Sequence, residues 1–306
     1  MKPTAFIFPG QGSQYVGMGK ELFENFSAAR HVFQEADDAL HFSISTLCFK
    51  GPEDALKLTE NTQPAILTTS IGALKVLETE KGITPQFTAG HSLGEYSALV
   101  ASGALAFSDA VRTVRLRGKF MQEAVPVGEG AMAAVLGMER DQIEELCEAC
   151  SSGEVLAPAN FNCPGQIVIA GHSKAVERAI ERIKQGGKKA VLLSVSAPFH
   201  SPLMKPAGER LEKALAQISV SDLKIPVVTN VEAEVNTSKD RVKGLLVAQV
   251  SNPVRWEESM RKMIEKGVEQ VFEIGPRKVL SDLMKRIDHR IETKNLEDVE
   301  TLKKIS

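Results

Sequence analysis

Gly90-His91-Ser92-Leu93-Gly94 lies between a short apolar run at 86–91 that reads as a strand and an Ala- and Leu-rich stretch at 93–104 with helical character. A strand handed to a helix through Gly-x-Ser-x-Gly has the form of a nucleophile elbow. The two glycines are expected because the turn strains the backbone and a neighbouring Cβ would crowd the approach to Ser92. The hydroxyl should then sit at the C-terminal edge of a sheet. The start of the helix would aim the Leu93 amide, and the positive end of the helix dipole, at negative charge developing beside Ser92. The alternative is a glycine-rich turn in which Ser92 only caps the helix.

Working outward, residues 4–8 read as a buried strand followed by the turn Pro9-Gly10-Gln11-Gly12-Ser13-Gln14. Helical periodicity runs over 20–40 and 64–81, where Ile66, Leu67, Ile71, Leu74 and Leu77 mark one buried face before Gly82 ends it. Residues 131–136, 140–150, 155–159, 166–170, 173–184 and 190–195 spell strand, helix, strand, strand, helix, strand, with Ser173 as the second helix's cap. That is the ferredoxin-like order. It is complete in itself between Pro126 and Pro198, so it predicts a small subdomain at 127–197 inserted into a larger α/β body at 1–126 and 198–306. The last third alternates helices near 203–216, from Asp240, from Trp256 and after Gly275-Pro276 with strands at 226–230 and 270–274, which suggests a mostly parallel sheet.

With 37 Lys and Arg against 39 Asp and Glu in 306 residues, the net charge of −2 leaves no electrostatic footprint for a nucleic-acid backbone. The most apolar stretch, 98–107, is interrupted by Ser102 and Gly103 and falls short of the ~18 residues that span a membrane. The first ten residues are too brief in their apolar core for a signal peptide. Four cysteines make no disulfide framework, and a cytoplasmic location follows as the expectation. Cys147-x-x-Cys150 has no second pair or metal-spaced histidine, and Gly10-x-Gly12 lacks the third glycine and the lysine of the nucleotide-binding loops. No metal or cofactor is expected, and nothing demands more than a monomer.

Ser92 needs a base, and six histidines are available. His31, His41, His172 and His289 fall in or beside charged surface segments and read as solvated. His91 adjoins the serine, but successive residues of a strand point to opposite faces, so it is poorly placed to take the proton. His200 follows Ala197-Pro198-Phe199, where the chain returns from the insert and can lie over the elbow; a structural histidine held by a backbone group is the competing reading. At 100° per residue Arg117 falls with Ala110 and Met121 on the apolar flank of its helix, away from Arg112, Lys119 and Glu123. Such an arginine either pairs with a buried acid or offers a fixed fork to a substrate carboxylate. Asn160, Asn162 and Gln166 cluster in what reads as the insert's middle turn and are either turn chemistry or one wall of a cleft. Lys188 and Lys189 are either an ordinary solvated turn or an attraction for an acidic partner.

Taken in order, FPGQGSQ at 8–14, TQPA at 62–65, GHSLGE at 90–95, RGKFMQEA at 117–124, GAMAA at 130–134, NCPGQ at 162–166, PFHS at 198–201, NPVRW at 252–256 and EIGP at 273–276 resemble the malonyl-CoA:acyl carrier protein transacylases and the related acyltransferase domains of polyketide synthases, over nearly the whole chain. The resemblance implies a hydrolase-like α/β body with a ferredoxin-like insert. It implies Ser92 as nucleophile, His200 as general base and acid, Arg117 as the clamp on the malonyl carboxylate, and the Gln11 and Leu93 amides as an oxyanion hole. Gln249 matches the position whose carbonyl orients the histidine. His91, Phe199, Asn160 and Gln166 are candidates for the substrate-binding wall, and Phe199 resembles the malonyl-selecting form, a steric preference of ~1 to 3 kcal/mol against a branched unit. The implied partners are malonyl-CoA, as a thioester substrate rather than a cofactor, and an acyl carrier protein of fatty acid synthesis. A carrier of polyketide synthesis, or a serine thioester hydrolase, is the alternative. One departure is Arg277, where the family more often has glycine.

Overall fold

The computed structural model describes residues 2–195 and 197–305. Among these residues ten strands form two sheets: β1 Thr4–Phe8, β2 Phe87–Gly90, β3 Gly130–Leu136, β4 Leu156–Cys163, β5 Gln166–His172, β6 Lys189–Leu192, β7 Val227–Val228, β8 Val235–Asn236, β9 Gln270–Ile274 and β10 Glu292–Leu296. The larger runs β10-β9-β1-β2-β7-β8 and is parallel except for the β7/β8 hairpin. The smaller runs β4-β5-β3-β6, wholly antiparallel, which is the ferredoxin-like strand order.

Burial on both faces explains why β1 is apolar at every position but its first. Phe6 and Phe8 enter the core formed with helices Thr59–Lys81 and Phe107–Glu123, while Ala5 and Ile7 face Trp256, Met260 and Met284 on the other side. Each of the Phe, Ile and Met side chains among them contributes about 1.5 to 3 kcal/mol by leaving water. The small sheet divides its residues by the same period of two. Ala133, Val135, Ile167 and Ile169 pack under helices Arg140–Ser151 and Ser173–Gln185, whereas Met132, Val168 and Ala170 join the core of the large body. The insert is thus fused to the body through a shared core. A backbone seam adds to this: Phe161 donates to the Val254 carbonyl and Val254 to that of Ala159, both at 2.9 Å.

Several boundaries differ from the sequence expectation. The helix expected at 64–81 begins at Thr59, with Pro64 inside it, and the run expected at 20–40 breaks at Phe26 into Lys20–Asn25 and Ser27–Leu40. Asn160 and Asn162 lie in β4 rather than in a turn, because the strand continues past two bulges to Cys163 and only Pro164-Gly165 turns the chain. Ser173 does not cap its helix: His172 is the capping position and the Ser173 hydroxyl donates to the Gly128 carbonyl at 2.7 Å. Strand β10 and the short strand β8 carry no apolar alternation and escape a pattern-based reading. Arg277 takes φ 65°, the left-handed region that suits glycine, and its amide donates to Glu297 at 2.7 Å. Among the described residues no helix is long and apolar enough to cross a membrane.

At the elbow, β2 ends at Gly90 and the helix Gly94–Ala101 begins four residues later. The glycines serve backbone packing more than substrate approach. A Cβ on Gly90 would collide with the Gly94 carbonyl, and one on Gly94 with the Phe8 carbonyl of the adjoining strand. Gly94→Ala should therefore cost about 3 kcal/mol or more, since backbone atoms of a buried strand cannot move aside. Urea unfolding measures it, and a loss below about 1 kcal/mol would show that the two segments can part.

Candidate active site

Ser92 occupies the strained position of the elbow, with φ 54°, and its amide donates to Asn230 Oδ1 at 2.7 Å. The cost of this left-handed conformation, on the order of 1 to 3 kcal/mol, is offset by the bonds that hold the turn. Asn230 also donates to the Gly90 carbonyl at 2.7 Å, and Gly94 to that of His91 at 2.9 Å. Ser92 Oγ consequently projects into a cavity of about 110 Å³ between the two sheets. Gln11, His91, Arg117, Asn160, Phe199 and His200 line it, with Gln63 and an apolar wall of Met121, Met132, Leu193 and Val195.

His200 sits on the turn after the insert, also left-handed at φ 57°, and is buried. Its Nδ1 lies 2.8 Å from the Gln249 backbone carbonyl, an acceptor only, so the proton resides on Nδ1. Nε2 then carries the lone pair and accepts from Ser92 Oγ at 2.7 Å. Burial foremost, and then the neighbouring Arg117 cation, hold the His200 imidazole down to about 3 from its ordinary 6.5, so it stays neutral.

Arg117 extends from the helix Phe107–Glu123 and is 1% exposed. Its guanidinium donates to Gln63 Oε1 at 2.8 Å, Gln249 Oε1 at 2.9 Å and Ser92 Oγ at 3.1 Å. All three partners are neutral, and among the described residues Arg117 forms no ion pair. Its Nε is buried without a partner. A cation desolvated in this way and open to a cavity is poised for an anion brought in from solution.

The Gln11 and Leu93 amides make no hydrogen bond among the described residues, while the Gln11 side chain donates to Thr59 at 3.3 Å. His91 Nε2 lies 2.9 Å from Asn162 Oδ1 and its ring rests 5.6 Å from that of Trp256, so it forms a wall of the cavity and leaves the Ser92 proton to His200. Asn160 and Phe199 reach the same cavity. Gln166 lies outside this cavity: at the start of β5, it accepts from Arg286. Nor is His172 simply solvated, since its Nδ1 accepts from the Val155 amide at 2.9 Å. Sequence reasoning missed Gln63, Glu95 and Asn230. Gln63 and Glu95 lie inside the TQPA and GHSLGE stretches, but nothing local marks what they touch. Among the described residues no group of His, Cys, Asp and Glu could hold a metal ion.

Comparison with known proteins shows the family. The acyl transferase domain model matches residues 5–304. A malonyl CoA-acyl carrier protein transacylase of Bacillus subtilis is 53% identical over 304 residues, covering 99% of this chain and 96% of that protein. The crystal structure of a malonyl CoA-acyl carrier protein transacylase from Clostridium perfringens superposes with TM-score 0.96 at 46% identity, over 99% of this chain and 96% of that one. A holo complex of a type II PKS acyl-carrier protein with its malonyl-transacylase gives TM-score 0.96 at 43% identity, over 98% of both chains. With its elbow serine, its buried histidine and a match that runs almost from end to end, this chain belongs to the acyl transferase family.

Proposed function

We propose that this chain transfers the malonyl group from malonyl-CoA to the phosphopantetheine thiol of an acyl carrier protein, in fatty acid biosynthesis, through an acyl-enzyme on Ser92. One observation carries the reading: a hydroxyl 2.7 Å from a neutral imidazole nitrogen and 3.1 Å from a buried guanidinium with no acid of its own. The names of the relatives support the substrate and the acceptor.

His200 Nε2 takes the Ser92 proton as Oγ attacks the thioester carbonyl. The oxyanion of the tetrahedral intermediate faces the Gln11 and Leu93 amides, whose N–H groups need no reorganisation to receive it. The C–S bond breaks as the imidazolium returns its proton to the departing CoA sulfur. The carrier thiol then enters and the steps run in reverse, giving ping-pong exchange between two thioesters. The Gln249 carbonyl takes the place an aspartate holds in a triad: it fixes the tautomer and ring of His200 without adding a charge. Arg117 receives the malonyl carboxylate in charge-assisted bonds and orients the acyl group, while His91, Asn160 and Phe199 shape the space around it. On this reading the CoA thioester is a substrate, the chain's own groups supply the chemistry, and the enzyme works as a cytoplasmic monomer.

Intact-protein mass spectrometry after mixing with malonyl-CoA should show one malonyl adduct, absent from Ser92→Ala. Free malonate with little adduct would point instead to a thioester hydrolase, and an unchanged mass would overturn the reading. Arg117→Ala should slow malonyl acylation on the order of 10- to 100-fold, the worth of a bond to a charged group, while accepting uncharged acyl-CoA more readily; equal losses for malonyl- and acetyl-CoA would count against the clamp. Because His200 titrates near 3, the unprotonated base is present throughout the mildly acidic range. The acylation rate should stay within about twofold from pH 6.5 to 5, where a histidine of ordinary pKa would lose about 15-fold. The His200 contribution to stability does depend on pH: the unfolded chain binds the proton that folded His200 refuses, so that contribution is complete above 6.5 and is lost as the pH drops toward 3.

A further inference from the structure

Glu95 has no place in the steps above, yet it is 2% exposed, on the first turn of the elbow helix, directly behind Ser92. One carboxylate oxygen accepts the Gln249 side-chain amide at 2.7 Å and the Asn230 backbone amide at 3.1 Å. The Gln249 side chain is the point where the site's groups meet. Its Nε2 also donates to the Ser92 carbonyl at 2.9 Å and its Oε1 accepts from Arg117 at 2.9 Å. The chemistry of the neighbours permits only this orientation, since a guanidinium can only donate and a carboxylate or carbonyl can only accept. Glu95 supplies the shortest contact of that amide's nitrogen, and its one contact to an acidic group.

We propose that Glu95 is a positioning residue for acid selectivity: through the Gln249 amide it holds the Arg117 guanidinium in place without pairing with it, which leaves the cation for the substrate's carboxylate. Direct contact between Glu95 and Arg117 would satisfy the guanidinium internally and compete with the substrate. The interposed amide keeps the acid behind the elbow and transmits its hold as a hydrogen bond. The titratable groups that interact with it are Arg117 and Tyr96, and Arg117 alone meets the relay amide's side-chain oxygen.

The inference rests on the malonyl-transfer reading, and its test compares first acylation of Ser92 by malonyl-CoA and by acetyl-CoA in the full chain. Glu95→Asp keeps the charge but is one methylene too short to reach Gln249, and the malonyl-to-acetyl ratio of rates should fall at least tenfold. Glu95→Gln loses the charge but keeps the reach and an acceptor, and should hold the ratio within about threefold. Gln249→Met cuts the same relay from the other end while leaving the backbone carbonyl to His200. It should lower the ratio as Glu95→Asp does, and it decides the matter if Glu95→Asp fails to fold. Equal losses for both substrates in the folded Glu95→Asp or Gln249→Met variant, or a collapsed ratio in Glu95→Gln, would overturn the relay. A wild-type chain that does not favour malonyl-CoA would sink the underlying function instead.

Discussion

Ser92 is presented to the cavity because three stretches of backbone touch with no side chain between them. The Phe8 carbonyl at the end of β1 abuts Gly94, and Gly90 at the end of β2 abuts the carbonyl of that same Gly94. Only glycine leaves room for this approach. Once it is made, the chain between Gly90 and Gly94 has too little length for anything but a tight bend, and Ser92 takes up the left-handed conformation at its apex. His200, on the opposite wall, takes a similar conformation. Both residues of the central hydrogen bond are therefore held where an unconstrained chain would rarely put them, and the packed sheet and helices around them meet that cost.

The electrostatics follow from burial. Arg117 is 1% exposed, which excludes water from nearly all of it, and its cation is supported by neutral oxygens, by the face of the Tyr96 ring and by a carboxylate one amide away. The same exclusion depresses the His200 imidazole and raises the Glu95 carboxyl to about 7, against the bonds from Gln249 and Asn230 that favour its charged form. One dry environment thereby yields an unprotonated base and an unsatisfied cation within reach of the same hydroxyl. An exposed arginine at this place would be hydrated and would discriminate weakly between an acid and its neutral analogue.

The insert completes the cavity. Its sheet turns one face to its own two helices and the other to the body's core, and the seam between β4 and Val254 fixes how far apart the two walls stand. That register brings Asn162 within hydrogen-bond distance of His91 and sets Asn160 and Met132 opposite the elbow. The chain's return from the insert then delivers Phe199 and His200 to the same opening. A separately hinged lid would leave this distance variable, whereas a shared core makes the cavity part of the packed protein.

Local order is written in the amino-acid sequence. Periods of two and of 3.6, the glycine-flanked serine and the β-α-β-β-α-β order of the insert each depend on neighbours a few residues away, which is why those elements are legible with errors only at their ends. Ser92, Arg117 and His200 stand out because each breaks its surroundings: a serine between glycines, an arginine on an apolar flank, a histidine at the closing of the insert. What the fold alone decides is which groups meet. Glu95, Asn230 and Gln249 are separated by up to 154 residues and become one network, while Gln166, close in sequence to Asn162, ends on an outer edge. Sequence spacing constrains contacts over a turn or two of helix. Beyond that, the register of strands and the burial of a core choose the partners, because a hydrogen bond across the site forms only after distant segments have been packed against each other.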